Sequence, residues 1–312
     1  MGNYHISTSP PPGWPALCQA SSALFGSVDW QQLLETSFGC RSVYACDGQN
    51  GAAITAFKAG PFSIGYIGFP TGSVTGNTAS LTEIISQLKA TKPALGLTCI
   101  RVPVSAFADG PDLELPYVSN PETAIADLQN WDLMGVSKNL RRDIRKAERS
   151  GLSVSQSSDP ALGPDIYNMY ASAVKHHGGS LRYNAAYFSS LLELANQNPA
   201  LQVFVASLDN DTVGFAVIVH HAGSANYLHG GARADVRHLS PSDLILAEAV
   251  ASARSGGDDI FNFMASPADQ PTLVRYKEKW GGETRSLKTY TLRLSPVYPL
   301  FKAAEGMYRL IS

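Results

Sequence analysis

Residues 212–282 restrict the possible folds more than any other stretch, because short apolar runs alternate there with segments of helical periodicity. The run at 213–219 is rich in β-branched residues and the run at 259–264 contains two phenylalanines, and both are short, which predicts buried strands. A strand near 226–229 follows the first across a polar turn and predicts a hairpin. This order of elements indicates an α/β (α+β) fold with a mixed central sheet.

The helix inside this stretch has a clear predicted start. Ser240 is a favourable N-cap, Pro241 occupies the first helical position, and Asp243 completes a capping box. We therefore expect Asp243 to cap the helix and not to act as a catalytic base. Gly256 follows the last apolar position of the helix and predicts its end.

Both halves of the chain show a similar order of elements. Strands are predicted at 41–45, 52–58, 60–68, 97–102 and 202–208. Helices are predicted at 78–90, 164–173 and 186–196. We interpret the repeat as two domains, 1–136 and 137–312, in which a final helix at about 295–312 packs back onto the first. The Pro-, Asp- and Gly-rich stretch 107–130 predicts a connection with a short helix at 123–129.

Composition excludes several classes of function. A net charge of −2 on 312 residues rules out a surface that is basic all over, so any contact with nucleic acid must be local. No apolar run approaches the ~18–20 residues that cross a bilayer, and residues 1–7 do not resemble a secretion signal, so we expect a cytoplasmic protein. The four cysteines and the histidines lack metal-ligand spacing, so we expect no metal site.

Positive charge is concentrated in one predicted helix. Residues 138–149 hold six of the 24 basic residues of the chain. At helical spacing, one stripe consists of Lys138, Arg142, Arg145 and Arg149. The opposite side consists of Leu140, Ile144 and Ala147. The helix is either an ordinary solvated surface helix or a site for a phosphate-bearing substrate, such as a tRNA end or a nucleotide-linked acceptor.

Several of these segments resemble the second half of the GNAT acyltransferase superfamily and, more narrowly, the Fem-type (FemABX-like) peptidyltransferases. Residues 276–282, Tyr-Lys-Glu-Lys-Trp-Gly-Gly, resemble the aromatic–Lys pair and the Gly-containing turn at the end of the last helix in that group. Residues 261–264 resemble its strand pattern of aromatic, acid, aromatic, small, with Asn262 in place of the acid. The basic helix resembles the one that these proteins carry before their second domain. The resemblance implies two tandem GNAT-like domains.

The resemblance also implies an activity: transfer of an aminoacyl group from a charged tRNA to an amine of a small peptide, or of a cell-wall or natural-product precursor, with no permanently bound cofactor. Lys277 would place positive charge beside the donor phosphate or the forming oxyanion, Tyr276 would line the same site, and Lys279 is a second candidate cation. The acceptor contacts that it suggests are Arg182, Tyr183 and Tyr187. By analogy with GNAT folds, the strands at 213–219 and 260–264 would flank the donor site.

The start of the predicted helix bears on the identity of the donor. Acetyl-CoA enzymes of the superfamily have a glycine-containing loop there, whose backbone N–H groups hold a pyrophosphate. Residues 237–243 contain no glycine, Pro241 removes one N–H, and Asp243 adds a negative charge. This departure favours aminoacyl-tRNA over CoA. An acyl-CoA-dependent N-acyltransferase and a non-catalytic binding protein on the same fold remain alternatives.

Overall fold

The computed structural model describes residues 4–176 and 179–311. The strands are β1 (His5–Ser7), β2 (Arg41–Cys46), β3 (Gly51–Ala59), β4 (Phe62–Ile67), β5 (Cys99–Val104), β6 (Tyr117–Ile125), β7 (Ser153–Gln156), β8 (Leu201–Leu208), β9 (Asp211–His221), β10 (Ser224–Ala232), β11 (Ile260–Ala265) and β12 (Glu283–Arg293). The helices are α1 (Trp14–Ala20), α2 (Val28–Phe38), α3 (Leu81–Ala90), α4 (Lys92–Leu95), α5 (Lys138–Arg149), α6 (Gly163–His176), α7 (Ala185–Gln197), α8 (Pro241–Ser255), α9 (Pro271–Glu278) and α10 (Tyr298–Ile311).

The described residues form two compact units. Unit 1 contains the chain up to Asn120 together with the segment from Ser286 on, and unit 2 is Pro121–Arg285. These limits differ from the domains 1–136 and 137–312 that the sequence suggested. The difference arises because the chain leaves unit 1 within β6 and returns to it within β12, so neither boundary lies in a loop.

Unit 1 is built on a sheet in the order β1-β2-β3-β4-β5-β12, in which the pair β4–β5 is parallel and the other pairs are antiparallel. Strand β12 pairs with β5 from Lys288 to Arg293 and adds Tyr290 and Leu292 to the core. The predicted helix at 78–90 corresponds to α3, which begins at Leu81 after a short 3₁₀ turn and buries its apolar face against this sheet.

Unit 2 is built on a sheet in the order β6-β11-β10-β9-β8-β7. The pair β10–β11 is parallel, and the pairs β6–β11, β9–β10, β8–β9 and β7–β8 are antiparallel. Helices cover both faces: Ile245 of α8 lies against Gly214, whereas the ring of Phe188 on α7 lies 6.1 Å from that of the next residue, Phe215. The predicted α/β class with a mixed sheet between helices is confirmed.

One predicted helix is wrong. Residues 123–129 do not form a helix, because β6 runs through Ile125 and lies beside β11. Ala124 is opposite Asn262 and Ile125 is opposite Phe261, and both strands are buried at these positions. The sheet partner of β6 lies more than a hundred residues away in the sequence, so tertiary pairing overrides the local pattern.

Helix α5 has the predicted orientation. Ser137 caps its start by accepting a hydrogen bond from the Leu140 N–H. The side that packs on α8 is the predicted apolar one, consisting of Leu140, Ile144 and Ala147. The four basic residues of the predicted stripe are exposed. Throughout the part of the chain that the structure describes, no helix combines the length and the apolar character needed to span a bilayer.

We expect Ile144→Ala to lower the free energy of unfolding of unit 2 by about 2–4 kcal/mol, because it removes a fully buried side chain from the contact between α5 and α8. Arg145→Ala, at the exposed neighbouring position, should change it by less than about 0.5 kcal/mol. Urea unfolding followed by circular dichroism measures both. Equal destabilisation by the two variants would contradict this packing of α5.

Candidate active site

The two parallel strands of unit 2 separate part-way along their length. Their ladder joins Ser224–Asn226 to residues 260–262 and ends there. Beyond Asn226, β10 continues on β9 as far as Ala232, whereas β11 continues on β6. The gap therefore opens between β10 and β11. The sequence suggested that the strands at 213–219 and 260–264 flank the donor site, but these strands are not neighbours: β10 lies between β9 and β11.

Both strands are irregular where the gap opens. In β10, Leu228 is an extra residue between the pairs Tyr227–Ile218 and His229–Val217. In β11 the register with β6 shifts by one residue between Asn262 and Ala265, and Met264 has a left-handed φ of 63°. A bulge bends its strand and redirects side chains. As a result, Tyr227 contacts Phe263 on the α8 side, whereas the ring of His229 packs against α7.

Lys277 lies at the end of β11. Its side chain is buried, with 5% of its surface exposed, and its Nζ donates a hydrogen bond of 2.8 Å to the Met264 carbonyl oxygen. Burial lowers the pKa of the Lys277 amine to about 7, against the opposing effect of the Glu122 carboxylate. Neutral and charged forms of the amine therefore coexist near neutral pH, and the group is able to accept or to donate a proton.

Glu122 of β6 is a site residue that the sequence analysis missed. Its side chain is 1% exposed, and its Oε1 accepts a hydrogen bond of 2.9 Å from the side-chain amide of Asn262. The Oδ1 of Asn262 in turn accepts a hydrogen bond of 2.7 Å from the Met264 N–H. Two signals pointed to this contact: Glu122 precedes a short apolar run, and position 262 lacks the acid of the Fem-type pattern.

Tyr276 and Asp243 are brought together on the α8 side of the gap. The Tyr276 hydroxyl donates a hydrogen bond of 2.9 Å to Asp243 Oδ1. Burial raises the pKa of both groups, that of Tyr276 well above its ordinary value. The predicted capping box is wrong: Ser240 has a left-handed φ of 62° and makes no side-chain cap. A 3₁₀-helix at Ala234–Leu239 leads directly into α8 and imposes this turn.

The start of α8 has few backbone amides left for a ligand. The N–H of Ser240 donates to Arg237, and the N–H groups of Asp243 and Leu244 both donate to the carbonyl of Ser240. Pro241 has no N–H. The Asp243 carboxylate stands at the same place. These contacts leave few N–H groups at the start of α8 for a pyrophosphate.

The basic stripe lies on the neighbouring helix. Lys138, Arg142, Arg145 and Arg149 are exposed on α5. Arg142 pairs with Asp143 at 3.3 Å, and Arg149 Nε donates to the Arg145 carbonyl at 3.1 Å. The same helix contacts the segment before α8, where Lys146 Nζ bonds the carbonyl of His238. Lys279, also exposed, lies close enough to Asp243 to oppose the rise in the pKa of that carboxyl.

The three suggested acceptor residues are divided between surface and core. Tyr187 is buried, and its hydroxyl is 3.0 Å from His229 Nε2. The ring of Tyr183 lies 4.5 Å from that of His229, whereas Arg182 is exposed and its N–H donates to the hydroxyl of Tyr170. Burial lowers the pKa of His229 to about 3, so its imidazole is neutral at physiological pH.

His229 was not predicted as a site residue from the sequence. Among the described residues, no three His, Cys, Asp or Glu side chains lie together in a way that could hold a metal ion.

The glycines after α9 fix the path of the chain out of the site. Gly281 has a left-handed φ of 80°, and the Trp280 carbonyl accepts a hydrogen bond of 2.8 Å from the indole N–H of Trp131. A Cβ atom on Gly282 would lie 2.9 Å from a methyl carbon of Thr123. The close approach of β12 to β6 at this point therefore requires glycine.

Comparison with known proteins agrees with this architecture. Residues 135–278 match the family model described as an acetyltransferase (GNAT) domain. This segment is similar to a GNAT domain. It contains the basic helix α5, the separating strands β10 and β11, and the Tyr276–Lys277 pair. A search of curated proteins found no match to the chain.

Three solved structures show the same fold over nearly the whole chain. FemX is 14% identical, with a TM-score of 0.68, and the alignment covers 95% of this chain and 99% of FemX. The C-terminal domain of a putative lysylphosphatidylglycerol synthetase from Agrobacterium fabrum is 16% identical (TM-score 0.62; 92% and 94% covered). A tandem GNAT protein from the clavulanic acid biosynthesis pathway is 10% identical (TM-score 0.51; 94% and 99% covered). At these identities the likeness establishes the GNAT fold.

We expect Lys277→Met to make the free energy of unfolding less dependent on pH, because it removes an amine whose charged form is disfavoured by burial. Below pH 7 the amine is protonated in both states, so the folded state bears the full cost of burying the charge. Between pH 7 and the ordinary lysine value of 10.5 the unfolded state binds more protons, so the parent gains stability as the pH rises.

The free energy of unfolding of the variant minus that of the parent should therefore be highest below pH 7 and should fall toward pH 10.5. Thermal unfolding of both proteins over this pH range measures it. A difference that is independent of pH would contradict the lowered pKa of Lys277.

Proposed function

We propose that the protein is an acyltransferase that forms an amide bond, with an aminoacyl-tRNA as donor and an amine of a small peptide or precursor as acceptor. The observation that carries the proposal is the position of the Lys277 amine at the end of β11, next to the point where β10 and β11 separate.

Strands that separate in this way suit acyl transfer. The donor carbonyl would lie in the gap, where backbone groups no longer engaged between the two strands could meet the developing oxyanion. The acceptor amine must lose a proton before or during attack, and a group with a pKa near 7 is well matched to that task. Lys277 is the ionisable group of suitable pKa at this position. Tyr276, next to it in α9, would line the donor side with Asp243.

Two features favour a tRNA donor over CoA. The start of α8 combines engaged amides, a proline and a carboxylate, all of which disfavour a pyrophosphate. The exposed stripe on α5 lies beside that segment and would attract the phosphates of an RNA 3′ end. On the opposite side of the sheet, the exposed Arg182 and the half-buried Tyr183 would contact the acceptor, and the buried Tyr187 would support them from the core.

The names of two structural neighbours are compatible with this activity. One is FemX, the namesake of the Fem-type group that the sequence resembles, and the other is described as a putative lysylphosphatidylglycerol synthetase. The identity of each with this chain is at most 16%, so neither name identifies the substrate here.

We expect Lys277→Ala to lower kcat/KM for aminoacyl transfer by about 100-fold or more, because it removes the proposed proton acceptor. Lys175→Ala, an exposed lysine on α6, is the matched control and should leave the rate unchanged. The assay uses tRNA charged with radiolabelled amino acids and a panel of small amine and peptide acceptors. Equal transfer by the parent and Lys277→Ala would remove Lys277 from the mechanism.

An acyl-CoA-dependent N-acyltransferase is the second candidate. It is favoured by the description of the family model as an acetyltransferase and by a tandem-GNAT neighbour whose printed description mentions AcCoA. A rise in melting temperature with CoA, together with transfer from acyl-CoA, would support this alternative and contradict the tRNA donor. Failure with both donors in a folded protein would point to a binding protein on the same fold.

The basic stripe predicts a salt-dependent effect on tRNA affinity. We expect a triple alanine variant at Arg142, Arg145 and Arg149 to weaken tRNA binding uniformly across tRNA sequences. The slope of log K against log salt should become less steep by about two to three units, because roughly three phosphate contacts are lost. Filter binding at several salt concentrations measures this slope. A variant with an unchanged slope would show that the stripe is only a solvated surface.

A further inference from the structure

We propose that Glu122 is a positioning residue that, through Asn262 and Met264, holds the Lys277 amine at the open end of β11 and supplies its counter-charge. The inference rests on the proposed function for its catalytic meaning, but the contacts that carry it are independent of the substrate.

The path from carboxylate to amine is continuous. Glu122 Oε1 accepts from the Asn262 amide at 2.9 Å, Asn262 Oδ1 accepts from the Met264 N–H at 2.7 Å, and the Met264 carbonyl accepts from Lys277 Nζ at 2.8 Å. Asn262 thus fixes Met264 in its left-handed conformation, with φ 63°. A non-glycine residue adopts that conformation only when its surroundings hold it there.

Burial of the Glu122 carboxylate needs a physical reason. A buried carboxylate is costly unless it is hydrogen-bonded and near a positive charge. Glu122 is 1% exposed, and its Oε1 accepts a hydrogen bond from the amide of Asn262. Its negative charge favours the charged form of the Lys277 amine and so opposes the effect of burial on the pKa of that amine. The two groups form a buried acid–base couple that is linked through β11.

In the proposed reaction this couple would accept one proton from the acceptor and later release it. The ammonium of the acceptor gives a proton to the neutral Lys277 amine, which becomes an ammonium balanced by the Glu122 carboxylate. The freed amine attacks the carbonyl carbon of the aminoacyl ester, and the C–O bond to the RNA breaks. One of the two protons still on the attacking nitrogen passes to the leaving oxygen, and the other stays as the amide N–H. Lys277 later returns its own proton to solvent.

The hydrogen bond between Glu122 and Asn262 allows the acid and the amide to be exchanged between the two positions. This exchange tests the effect of the negative charge while the two side chains keep nearly the same shape. Glu122→Gln keeps an oxygen that accepts from Asn262 but removes the charge. Adding Asn262→Asp moves the carboxylate from β6 to β11, where the Fem-type pattern has an acid. The amide at position 122 then donates a hydrogen bond to the carboxylate at position 262, the reverse of the direction in the parent protein. The relocated carboxylate still has an oxygen for the Met264 N–H. Glu193→Gln, an exposed acid on α7, is the matched control.

The test is the titration of Lys277 in protein labelled with ¹³Cε-lysine, followed by NMR, with Lys277→Met assigning its signal. We expect Glu122→Gln to lower the pKa of Lys277 by about one unit, because a nearby negative charge is lost. The double variant should return it to within about 0.3 units of the parent, and Glu193→Gln should leave it unchanged. If Glu122→Gln alone does not fold, the double variant carries the test.

A Lys277 titration that is the same in the parent, Glu122→Gln and Glu193→Gln would overturn the proposal, as would a double variant shifted down by a full unit. The transfer assay is a separate arm, in which Glu122→Gln should lower kcat at least about 10-fold with little change in KM, and the double variant should recover most of it. A shifted titration without transfer activity in the parent would leave the couple standing and reject the proposed function.

Discussion

A parallel ladder that stops in the middle of a sheet leaves backbone polar groups that must find other partners, and unit 2 depends on how this need is met. Side chains take over where the ladder between β10 and β11 ends. Asn226 donates from its amide to the carbonyls of Val219 and Ser224, and Asn262 and Lys277 satisfy the N–H and the carbonyl of Met264. Because buried backbone groups left unpaired are costly, these side chains are part of the architecture as much as of the site.

The same set of contacts creates a conflict between stability and activity. A lysine that served only to fill space would be better replaced by a methionine of similar length, which carries no charge to desolvate. Lys277 instead keeps an amine at a position where its charged form is disfavoured. Such sites are typical of catalytic groups, whose pKa is displaced toward the working pH by burial. Burial also raises the pKa of Asp243, whereas it raises the pKa of its partner Tyr276 away from neutral pH, so that the Tyr276 hydroxyl stays protonated and donates to the carboxylate.

Local periodicity was a sufficient guide to the helices that pack with one face. The inner side of α5 and the apolar face of α3 were both predictable, since each depends only on spacing within one segment. The resemblance to GNAT proteins supplied the order of elements and the Tyr276–Lys277 pair. Strand β6 was not predictable in the same way, because its assignment depends on pairing with β11 and not on its own pattern. Glu122 was missed for that reason.

The side-chain contacts between elements that are distant in the sequence were the least predictable features. His229 and Tyr187 lie 42 positions apart in sequence, and Tyr276 and Asp243 lie 33 apart, so no spacing rule relates the members of either pair. The bulge at Leu228 also determines which side of the sheet His229 faces, and a simple two-residue alternation would place it with Tyr227.

The return of the chain to unit 1 within β12 has a consequence for the order of events during synthesis. Strand β5 finds its second neighbour only after residues 288–293 have been made, whereas every strand partner within Pro121–Arg285 is by then available. Domains fold as they emerge from the ribosome. Unit 2 can therefore complete its sheet first. The edge of β5 in unit 1 stays unpaired until residues 288–293 have emerged.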